Sequence, residues 1–438
     1  MAAYELAARI LGHLEAHPGD GPDALAQALH YSKYHLQHAF SEAMGLPLSE
    51  YALRRRLTRA ARLLTNTRAP ILDIALACGY ESQQAFSAAF RAAYRCAPGR
   101  FRRERRFYPL QPASDAAALA AAQAYKGALY KGGNAMNESG SMTALMSAFG
   151  RAYHCLNEKT PVFRDERARE LFSDDEFAFI RSSILKGRDF FAPDAEGDDE
   201  AIVRRIVNEH IAPTPLCRAA YCESALAVAR RSGTLQYVIL GAGLDTFAFR
   251  STGFSGGRTV FEVDHPLTQR DKLARIERAG WPLPDNLRFV SVDFAQDSLR
   301  DRLLAAGFDP AKKTFFSWLG VSYYLTREQI DAFLSELASL CADGSSLVFD
   351  YAGSGFFDAP EPRVQKLIAL ACSSGEPMKS CFSRRELTRL LEAHGFLIYE
   401  ELSSAAIQAA IIGGKCPGMR AFERISYVLA VHKALTSP

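Results

Sequence analysis

The chain has 438 residues, of which 48% are hydrophobic and 23% charged, and its formal net charge is +3. This length exceeds one ordinary hydrophobic core, so two or three domains are expected. There is no apolar stretch of 18 residues, and the first residues lack both a basic start and an apolar signal-peptide core. These features exclude a membrane-spanning class, and we expect a cytoplasmic protein with no membrane partner.

Charge is unevenly distributed along the chain. Residues 1–106 contain 15 lysines and arginines against 9 aspartates and glutamates, a net charge of +6 that leaves −3 for the remainder. A basic segment favours a polyanionic partner, and the larger part of the chain carries no such signal.

The nine cysteines are scattered and odd in number. They form no CxxC pair, and no group of histidines and cysteines has zinc spacing. We therefore expect reduced thiols, no disulfide framework and no metal site.

Residues 1–106 show helical periodicity. From Asp23 the pattern predicts a short helix, a turn and a second helix capped by Ser32. On the second helix Leu36 and Phe40 share the inward face. The outward face carries side chains suited to base edges and phosphates, namely Lys33, Tyr34, Gln37, His38 and Ser41.

The same design recurs further along. Ile71–Ala77 is predicted to be a short helix, followed by a turn and by a helix that Ser82 caps and whose Phe86 and Phe90 face inward. Its outward face carries Gln83, Gln84, Ser87, Ala88 and Arg91.

A long helix, Leu48 to Leu64, is predicted between the two units. It carries arginines at positions 54, 55, 56, 59 and 62. Two recognition helices on one rigid spacer would enter successive major grooves, about 34 Å apart. The position of the arginines between the two units favours contact with phosphates, although they could also be solvated.

Three segments resemble the DNA-binding domain of AraC/XylS-family activators: S-K-Y-H-L-Q-H-A-F, P-I-L-D-I-A-L and G-Y-E-S-Q-Q-A-F-S-A-A-F-R. The resemblance covers nearly all of residues 4–106 and implies binding to double-stranded DNA. The positions that match its base-reading residues are Tyr34, Gln37, His38, Gln83, Gln84 and Ala88. The alternative is a helical bundle that only packs against the rest of the chain.

Residues 107–141 read as a linker, with an Ala-rich segment and a loop rich in glycine, asparagine and serine. A helix-rich entry follows from residue 142, and a helix from Thr214 to Arg230 carries Arg218 and Tyr221. The predicted domains are therefore 1–106, an all-α double helix-turn-helix, and 142–438, an α/β domain.

Tyr237 to Asp264 reads as the first βαβ unit of a nucleotide-binding sheet. Gly241 and Gly243 leave room for the backbone to touch a ligand, and Glu262 or Asp264 would accept hydrogen bonds from ribose hydroxyls. The loop is G-x-G-x-D, ending at Asp245, and lacks the third glycine of a dinucleotide site. S-adenosylmethionine fits this loop better than a dinucleotide, and a turn without any ligand is the alternative.

Later apolar runs predict five further strands, which makes a doubly wound, Rossmann-like sheet of seven. The third strand ends at Asp293 and Phe294, an acid and an aromatic that suit an adenine amine and ring. Since strand ends converge in such a sheet, Gly241, Asp264 and Asp293 should line one crevice. Beyond the fourth strand, Tyr323 and Tyr324 would border an acceptor, or else belong to the core.

Four motifs of residues 143–432 resemble the leucine carboxyl methyltransferase family in the broad sense: V-I-L-G-A-G-L-D-T, F-E-V-D-H-P, V-S-V-D-F and S-W-L-G-V-S-Y-Y-L. The resemblance implies a class I methyltransferase fold that binds S-adenosyl-L-methionine. It implies cofactor contacts by Arg218, Gly241, Asp264, Asp293 and Phe294, to which the loop pattern adds Gly243, Asp245 and Glu262. Leu319 departs from eukaryotic members, which have glutamate there.

The same resemblance places Arg218 and Tyr324 near the carboxylate of a small-molecule acceptor. A carboxylate is already a nucleophile, so alignment and a dry pocket suffice without a general base. Arg218 would hold the carboxylate bidentately, or would merely pair with Glu223 on its own helix.

The leading hypothesis is a DNA-binding transcription regulator fused to a carboxyl O-methyltransferase. One alternative is a regulator whose methyltransferase-like half senses a ligand without turnover. Another is an enzyme whose DNA-binding part has lost its role.

Overall fold

The computed structural model describes residues 2–44, 47–94, 96–104, 122, 141–251, 254, 256–294, 296–373 and 377–433. The chain divides into two compact units. The helical unit lies within Met1–Gly127 and Gly355–Cys381, and the sheet unit within Ala128–Ser354 and Phe382–Pro438. The predicted linker lies outside the described residues, apart from Ala122 and Ser141, so the predicted domain bounds remain predictions.

The amino-terminal part of the helical unit confirms the double helix-turn-helix pattern. Its described helices are α1 (Ala2–Ala16), α2 (Pro22–Leu29), α3 (Lys33–Met44), α4 (Leu48–Asn66), α5 (Ile71–Ala77), α6 (Gln83–Tyr94) and α7 (Pro98–Glu104). Helices α2 and α3 form the first motif, α5 and α6 the second, and α4 is the predicted spacer.

Serine caps begin both recognition helices, as the sequence predicts. The Ser32 hydroxyl accepts the His35 N–H at 3.2 Å, and the Ser82 hydroxyl accepts the Ala85 N–H at 3.1 Å. Each bond satisfies a backbone donor that the first turn of a helix leaves free. The caps therefore fix where α3 and α6 begin.

Two small hydrophobic cores hold the motifs, and the spacer helix contributes to both. Phe40 of α3 packs on Tyr51 of α4, with ring centroids 5.2 Å apart, and Phe86 and Phe90 of α6 belong to the second core. Leu57 of α4 also lies in that second core. Because α4 is shared, the two recognition helices are mounted on one rigid element.

The turn between α5 and α6 depends on a glycine. Gly79 has a φ of +76°, and a Cβ at this position would lie 2.5 Å from the Cα of Gly19, in the loop between α1 and α2. A side chain would therefore strain the backbone and collide with a second backbone segment.

The sheet unit begins with a helical entry, as predicted. Its helices are α8 (Met142–Asn157), α9 (Arg167–Glu170), α10 (Asp174–Lys186), α11 (Arg188–Phe191), α12 (Asp199–Ile206) and α13 (Pro213–Arg231), with a π-helical segment, Val207–Ile211, between the last two. The predicted helix around Arg218 is α13.

Seven strands form one mixed sheet, which confirms the predicted fold class. They are β1 (Gln236–Leu240), β2 (Thr259–Asp264), β3 (Leu287–Ser291), β4 (Thr314–Trp318), β5 (Ser346–Ala352), β6 (Phe396–Leu402) and β7 (Ile425–His432). Their spatial order is β3-β2-β1-β4-β5-β7-β6. Strands β1 to β5 pair in parallel, and β7 is antiparallel to both of its neighbours.

The central strands are buried along their whole length, because helices cover both faces of a doubly wound sheet. The remaining described helices are α14 (Phe247–Arg250), α15 (Pro266–Arg278), α16 (Leu299–Ala305), α17 (Arg327–Ala338), α18 (Pro362–Ser373), α19 (Arg384–Ala393) and α20 (Ser404–Ile407), with a second π-helical segment, Gln408–Ile412. Of these, α18 belongs to the helical unit. Among the described helices, none combines the length and the apolarity that crossing a bilayer requires.

Substitution Gly79→Ala tests the turn. The strained φ alone costs about 1–2 kcal/mol, and the backbone collision adds to it, so the amides of α5 and α6 should lose hydrogen-exchange protection in the full-length chain. Gly12→Ala is the control, since Gly12 is exposed within α1 with open space around it, and alanine there should stabilise by about 0.5–1 kcal/mol. Equal protection in wild type and Gly79→Ala would show that the turn tolerates a side chain.

Candidate active site and DNA-binding surface

The turn after β1 is a backbone cradle without side chains. Gly241 and Gly243 have φ values of +71° and +51°. A Cβ on Gly241 would lie 2.8 Å from Val321 Cγ2, and one on Gly243 would lie 3.0 Å from the Cβ of Ala144. Both positions therefore require glycine, because of their φ values and because neighbouring side chains already fill the space that a Cβ would take.

Asp264 ends β2 beside this turn. Its Oδ2 accepts the Gly243 N–H at 2.5 Å, and its Oδ1 accepts the His265 N–H at 2.7 Å. Burial raises the pKa of the Asp264 carboxyl, and the two backbone donors oppose that rise. The carboxylate thus ties the glycine turn to the second strand and still has lone pairs for a hydroxyl donor.

Glu262, the other acid of β2, is placed differently. It is 1% exposed, and its carboxylate pairs with the equally buried ammonium of Lys272 on α15. Burial raises the pKa of Glu262 to about 7, against the attraction of Lys272. Its side chain is therefore committed inside the sheet unit, whereas Asp264 lies at the strand end.

Asp293 and Phe294 lie just beyond β3. The Val292 N–H donates to the Asp264 carbonyl at 2.9 Å, which places Asp293 next to the end of β2. The Gln296 amide donates to Asp293 Oδ2 at 3.0 Å, and the Phe294 ring is 51% exposed. The first three strand ends are adjacent, as the sequence predicts for one crevice.

The side chain of Asp245 shapes the turn itself. Its Oδ1 accepts the Phe247 N–H at 2.6 Å and so closes a tight turn just before the short helix α14.

Arg218 reaches the same edge of the sheet from α13. A Cβ on Gly320, whose φ is +75°, would overlap Arg218 Nη1 and lie 2.7 Å from its Cζ, so the guanidinium rests directly on the backbone after β4. The next residue, Val321, is the one that faces Gly241. Arg218 therefore lies beside the glycine turn.

Asp350 of β5 is the counter-charge of Arg218, and it was not among the predicted site residues. It is fully buried, and its Oδ2 lies 3.6 Å from Arg218 Nη1 and 3.2 Å from the Tyr323 hydroxyl that donates to it. Its Oδ1 accepts the Gly320 N–H at 2.6 Å. The detectable signal was an acid inside the apolar run S-L-V-F-D-Y, where an unpaired charge would be costly.

The charge state of Arg218 follows from these neighbours. Burial alone would lower the pKa of the guanidinium, but Tyr323 and Asp350 raise it above the ordinary value. Burial and Asp350 together hold the pKa of Tyr323 well above its usual range. The site therefore presents a charged guanidinium and, at Tyr323, a neutral phenol.

The alternative pairing of Arg218 with Glu223 does not occur. Glu223 binds Arg250 at 2.5 Å, and Arg250 also contacts Asp165 at 3.2 Å. Burial alone would raise the pKa of Asp165, but Arg151 and Arg250 hold it below the ordinary value. Glu223 is therefore paired within this buried network, and the acid that faces Arg218 is Asp350.

Helix α8 covers the glycine turn with one face, a contact that was not predicted. Ala144 touches Gly243, the Ser147 hydroxyl lies 3.4 Å from Arg218 Nη2, and Arg151 Nη2 donates to the Leu244 carbonyl at 2.6 Å. The spacing i, i+3, i+7 in M-T-A-L-M-S-A-F-G-R is the signal that could have located this face.

Tyr323 is buried and Tyr324 partly buried, with ring centroids 5.0 Å apart. Tyr323 is thus a core residue tied to Asp350. Of the two tyrosines, only Tyr324 keeps part of its surface exposed.

On the helical unit, the predicted DNA-reading residues lie on the surface. Lys33, Tyr34, Gln37 and His38 of α3 are exposed, with Tyr34 at 78%. On α6 the exposed set is Gln83, Gln84, Ala88 and Arg91, and Ser87 is partly exposed. Lys33 pairs with Asp23.

The spacer arginines are mostly engaged with protein groups. Arg54 pairs with Glu50, Arg55 with Glu15 at 2.7 Å, and Arg62 with Asp358. Arg56 lies over the Tyr80 ring at 5.4 Å, while Arg59 is exposed. Phosphate contact along this helix therefore has to compete with existing ion pairs.

One group of potential metal ligands exists among the described residues. Atoms of His154, Glu158 and Cys416 lie within 4.8 Å of one another. The Val162 N–H donates to His154 Nε2 at 2.9 Å, which leaves the imidazole proton on Nδ1. This hydrogen bond opposes coordination by either ring nitrogen.

A sheet in the order 3-2-1-4-5-7-6, a glycine turn after the first strand and an acid at the end of the second define a class I methyltransferase fold. The leucine carboxyl methyltransferase family model matches residues 144–338, and a helix-turn-helix domain model matches residues 25–104. The chain is 44% identical over 303 residues to YktD of Bacillus subtilis, named as a candidate S-adenosyl-L-methionine-dependent methyltransferase; the match covers 68% of this chain and 99% of YktD.

A Mycolicibacterium paratuberculosis protein with the same description is 31% identical over 212 residues, which is 48% of this chain and 66% of that protein. Among solved structures, a duf574 family protein from Streptomyces avermitilis is 17% identical with a TM-score of 0.39, covering 58% of this chain and 95% of its own. An AraC-type regulator from Chromobacterium violaceum is 34% identical with a TM-score of 0.19, covering 20% and 77%.

The chain belongs to the family of S-adenosyl-L-methionine-dependent methyltransferases that includes YktD, and it carries an AraC-type helix-turn-helix domain ahead of the methyltransferase domain.

Substitution Gly320→Ala should displace Arg218 and weaken cofactor binding. Loss of charge-assisted hydrogen bonds worth about 1.5–3 kcal/mol would raise the Kd for S-adenosyl-L-methionine by about tenfold or more in titration calorimetry. Gly344→Ala is a matched control, because Gly344 has a φ of +77° and a Cβ there would meet only the flexible Lys313 side chain. Equal affinities of the two variants would contradict a role for Arg218 in binding.

Proposed function

We propose that the sheet unit transfers the methyl group of S-adenosyl-L-methionine to the carboxylate of a small-molecule acid, and that the helical unit binds double-stranded DNA as a transcription regulator. The observation that carries the enzymatic part is the guanidinium of Arg218. It is charged, only 14% exposed, and lies beside the glycine turn.

The contacts of Arg218 leave it free to bind a carboxylate. Its distances to Asp350, Tyr323 and Ser147 are 3.6, 3.4 and 3.4 Å. Charge-assisted hydrogen bonds in proteins are typically about 2.7–2.9 Å long. An incoming carboxylate can therefore make shorter, bidentate bonds to this guanidinium than its present partners do.

The proposed cofactor contacts come from the strand ends and from Arg218, whose guanidinium has N–H donors for the carboxylate of the cofactor as well as for that of the acceptor. Gly241 and Gly243 offer backbone surface, Asp264 accepts ribose hydroxyls, and Asp293 with the exposed Phe294 ring receives the adenine. Asp245 contributes indirectly, by holding the turn that its side chain closes. Glu262 is left out of this set because its carboxylate pairs with Lys272.

When bound, S-adenosyl-L-methionine supplies an electrophilic methyl group. In this proposal Arg218 orients the acceptor carboxylate and Tyr324 borders it, while α8 and the buried tyrosine exclude water. A carboxylate oxygen forms the new bond to carbon as the carbon–sulfur bond breaks, which yields a methyl ester and S-adenosylhomocysteine. No side chain has to remove a proton, since the carboxylate is already ionised at neutral pH.

A second candidate function is a ligand sensor that binds without methyl transfer. The observation that favours it is the assignment of Gly355–Cys381, which follows β5 in the chain, to the helical unit. A segment shared in this way offers a route from ligand binding to DNA binding.

Labelled S-adenosyl-L-methionine and a panel of carboxylic acids test the transfer. We expect a base-labile methyl ester with one or more acids. Asp264→Asn should bind the cofactor about tenfold or more weakly, since it loses an acceptor of charge-assisted hydrogen bonds. Glu262→Gln should instead destabilise the fold, by about 3–5 kcal/mol, because Lys272 is left unpaired, and its folded fraction should keep normal affinity.

Binding of the cofactor without transfer to any acid would favour the sensor. Absence of binding by calorimetry would refute both candidate functions of the sheet unit.

The DNA-binding surface is tested by the double substitution Tyr34→Ala/Gln84→Ala. Duplexes enriched from a random library by the wild-type protein should show a footprint that this variant loses, since each base contact is worth about 1–3 kcal/mol of discrimination. Gln27→Ala is the control, because Gln27 is an exposed glutamine on α2, the helix before the recognition helix. Identical footprints from all three proteins would exclude sequence reading by α3 and α6.

A further inference from the structure

The segment between β5 and α19 leaves the sheet and joins the other unit. Gly355–Cys381, here called the arm, groups with the helical unit, although the strand before it and the helix after it belong to the sheet unit. The arm contains a 3-10 turn, Phe356–Asp358, and helix α18. The chain therefore passes between the two units at both ends of the arm, in addition to the passage within residues 107–141.

The two ends of the arm are held together. Gly353 and Phe382 form a parallel bridge, and the Phe382 N–H donates to the Ala352 carbonyl at 2.9 Å. Ala352 is the last residue of β5. Because the arm starts and ends at this pair, any shift of the end of β5 is applied to both of its ends.

Helix α18 is mostly buried or partly buried. Val364 is 0% exposed and Ile368 3%, and Pro362 is the only exposed position within residues 362–372. Cys372, near its end, packs against the hydrophobic core of the first helix-turn-helix motif, the core that contains Phe40 of α3. The arm therefore supports the inner side of the recognition helix, opposite its exposed face.

An ion pair fixes the arm to the spacer helix. Asp358 pairs with Arg62 of α4, whose guanidinium is 43% exposed. This contact joins a residue of the arm to the helix that carries both recognition motifs. A displacement of the arm therefore acts on the spacer as well as on α3.

The arm begins close in sequence to the candidate active site. Asp350, which faces Arg218, precedes Asp358 on the same continuous strand and turn. A carboxylate ligand that takes Arg218 would weaken the contact of Arg218 with Asp350. The end of β5, and the Gly353–Phe382 pair at which the arm begins and ends, would then shift when a ligand occupies the site.

We propose that the arm couples the two units, so that binding of S-adenosyl-L-methionine at Arg218 changes the affinity of the helical unit for double-stranded DNA through the Asp358–Arg62 pair and the packing of α18 on α3. This inference rests on the proposed function, in which the sheet unit binds the cofactor and the helical unit binds DNA. It does not depend on methyl transfer.

Coupling of this kind is reciprocal. If the cofactor changes the Kd for DNA by some factor, DNA must change the Kd for the cofactor by the same factor, typically about 5- to 150-fold. The coupling belongs to the equilibrium between arm positions, so weakening the arm contact should reduce the factor without abolishing either binding reaction.

The experiment measures the four dissociation constants of the thermodynamic cycle that links the two ligands, with the full-length protein. Fluorescence anisotropy of a labelled duplex, enriched by the wild-type protein, gives the Kd for DNA with and without saturating S-adenosyl-L-methionine. Calorimetry gives the Kd for the cofactor with and without DNA. We expect the same factor, about fivefold or more, from both routes.

Arg62→Ala and Asp358→Asn should both reduce that factor, since each breaks the same ion pair while the packing of α18 on α3 remains. Arg54→Ala is the matched control, since it removes one arginine from the same helix but breaks only a pair with Glu50 within that helix. Arg54→Ala should lower the affinity for DNA only through the loss of one positive charge, and it should leave the coupling factor unchanged.

The outcomes separate the inference from the proposed function. If both ligands bind and the factor is one in the wild-type protein, or if Arg62→Ala and Asp358→Asn keep the wild-type factor, the coupling through the arm is refuted and the two binding functions stand. If the cofactor or DNA does not bind at all, the proposed function fails first. Circular dichroism of each variant shows whether it is folded.

Discussion

The carboxyl edge of the sheet depends on one buried carboxylate. Asp350 accepts the backbone N–H of Gly320 at 2.6 Å, accepts the hydroxyl of Tyr323 and faces Arg218. A fully buried charge is tolerated only when it is paired and hydrogen-bonded. The need to pair Asp350 therefore holds three groups in place: the backbone after β4, Tyr323 and Arg218.

The arginine is the most distant partner of this carboxylate. The Asp350 carboxylate makes its shortest contact with the Gly320 backbone and its longest with Arg218. The backbone is thus held by a short hydrogen bond. The guanidinium has a counter-charge, but no short hydrogen bond joins it to Asp350. If a ligand carboxylate bound the guanidinium, Asp350 would keep its hydrogen bonds from the Gly320 N–H and the Tyr323 hydroxyl.

The sequence predicts the local features well, because their causes are local. Serine caps, helical spacing and the inward phenylalanines of α3 and α6 depend on residues a few positions apart. The glycine turn and Asp264 are also local, since both follow directly from an apolar strand. The fold class and the paired helix-turn-helix units could therefore be predicted from the amino-acid pattern, and the family from the resemblance of the motifs.

Features that depend on distant residues could not be predicted in the same way. The pairing of Glu223 with Arg250 rather than Arg218, and the commitment of Glu262 to Lys272, are decided by which side chains the fold brings together. The face of α8 over the glycine turn and the role of Asp350 have the same origin. Only a weak signal, an acid or a small-residue spacing in an apolar run, marks them in the sequence.

The arm is attached to the sheet at both of its ends and packs within the helical unit. The arm leaves and returns at paired residues, Gly353 and Phe382, and carries a helix that contributes to another core. Displacing it requires either breaking that packing or moving α3 and α4 with it, and both alternatives change the surface that meets DNA.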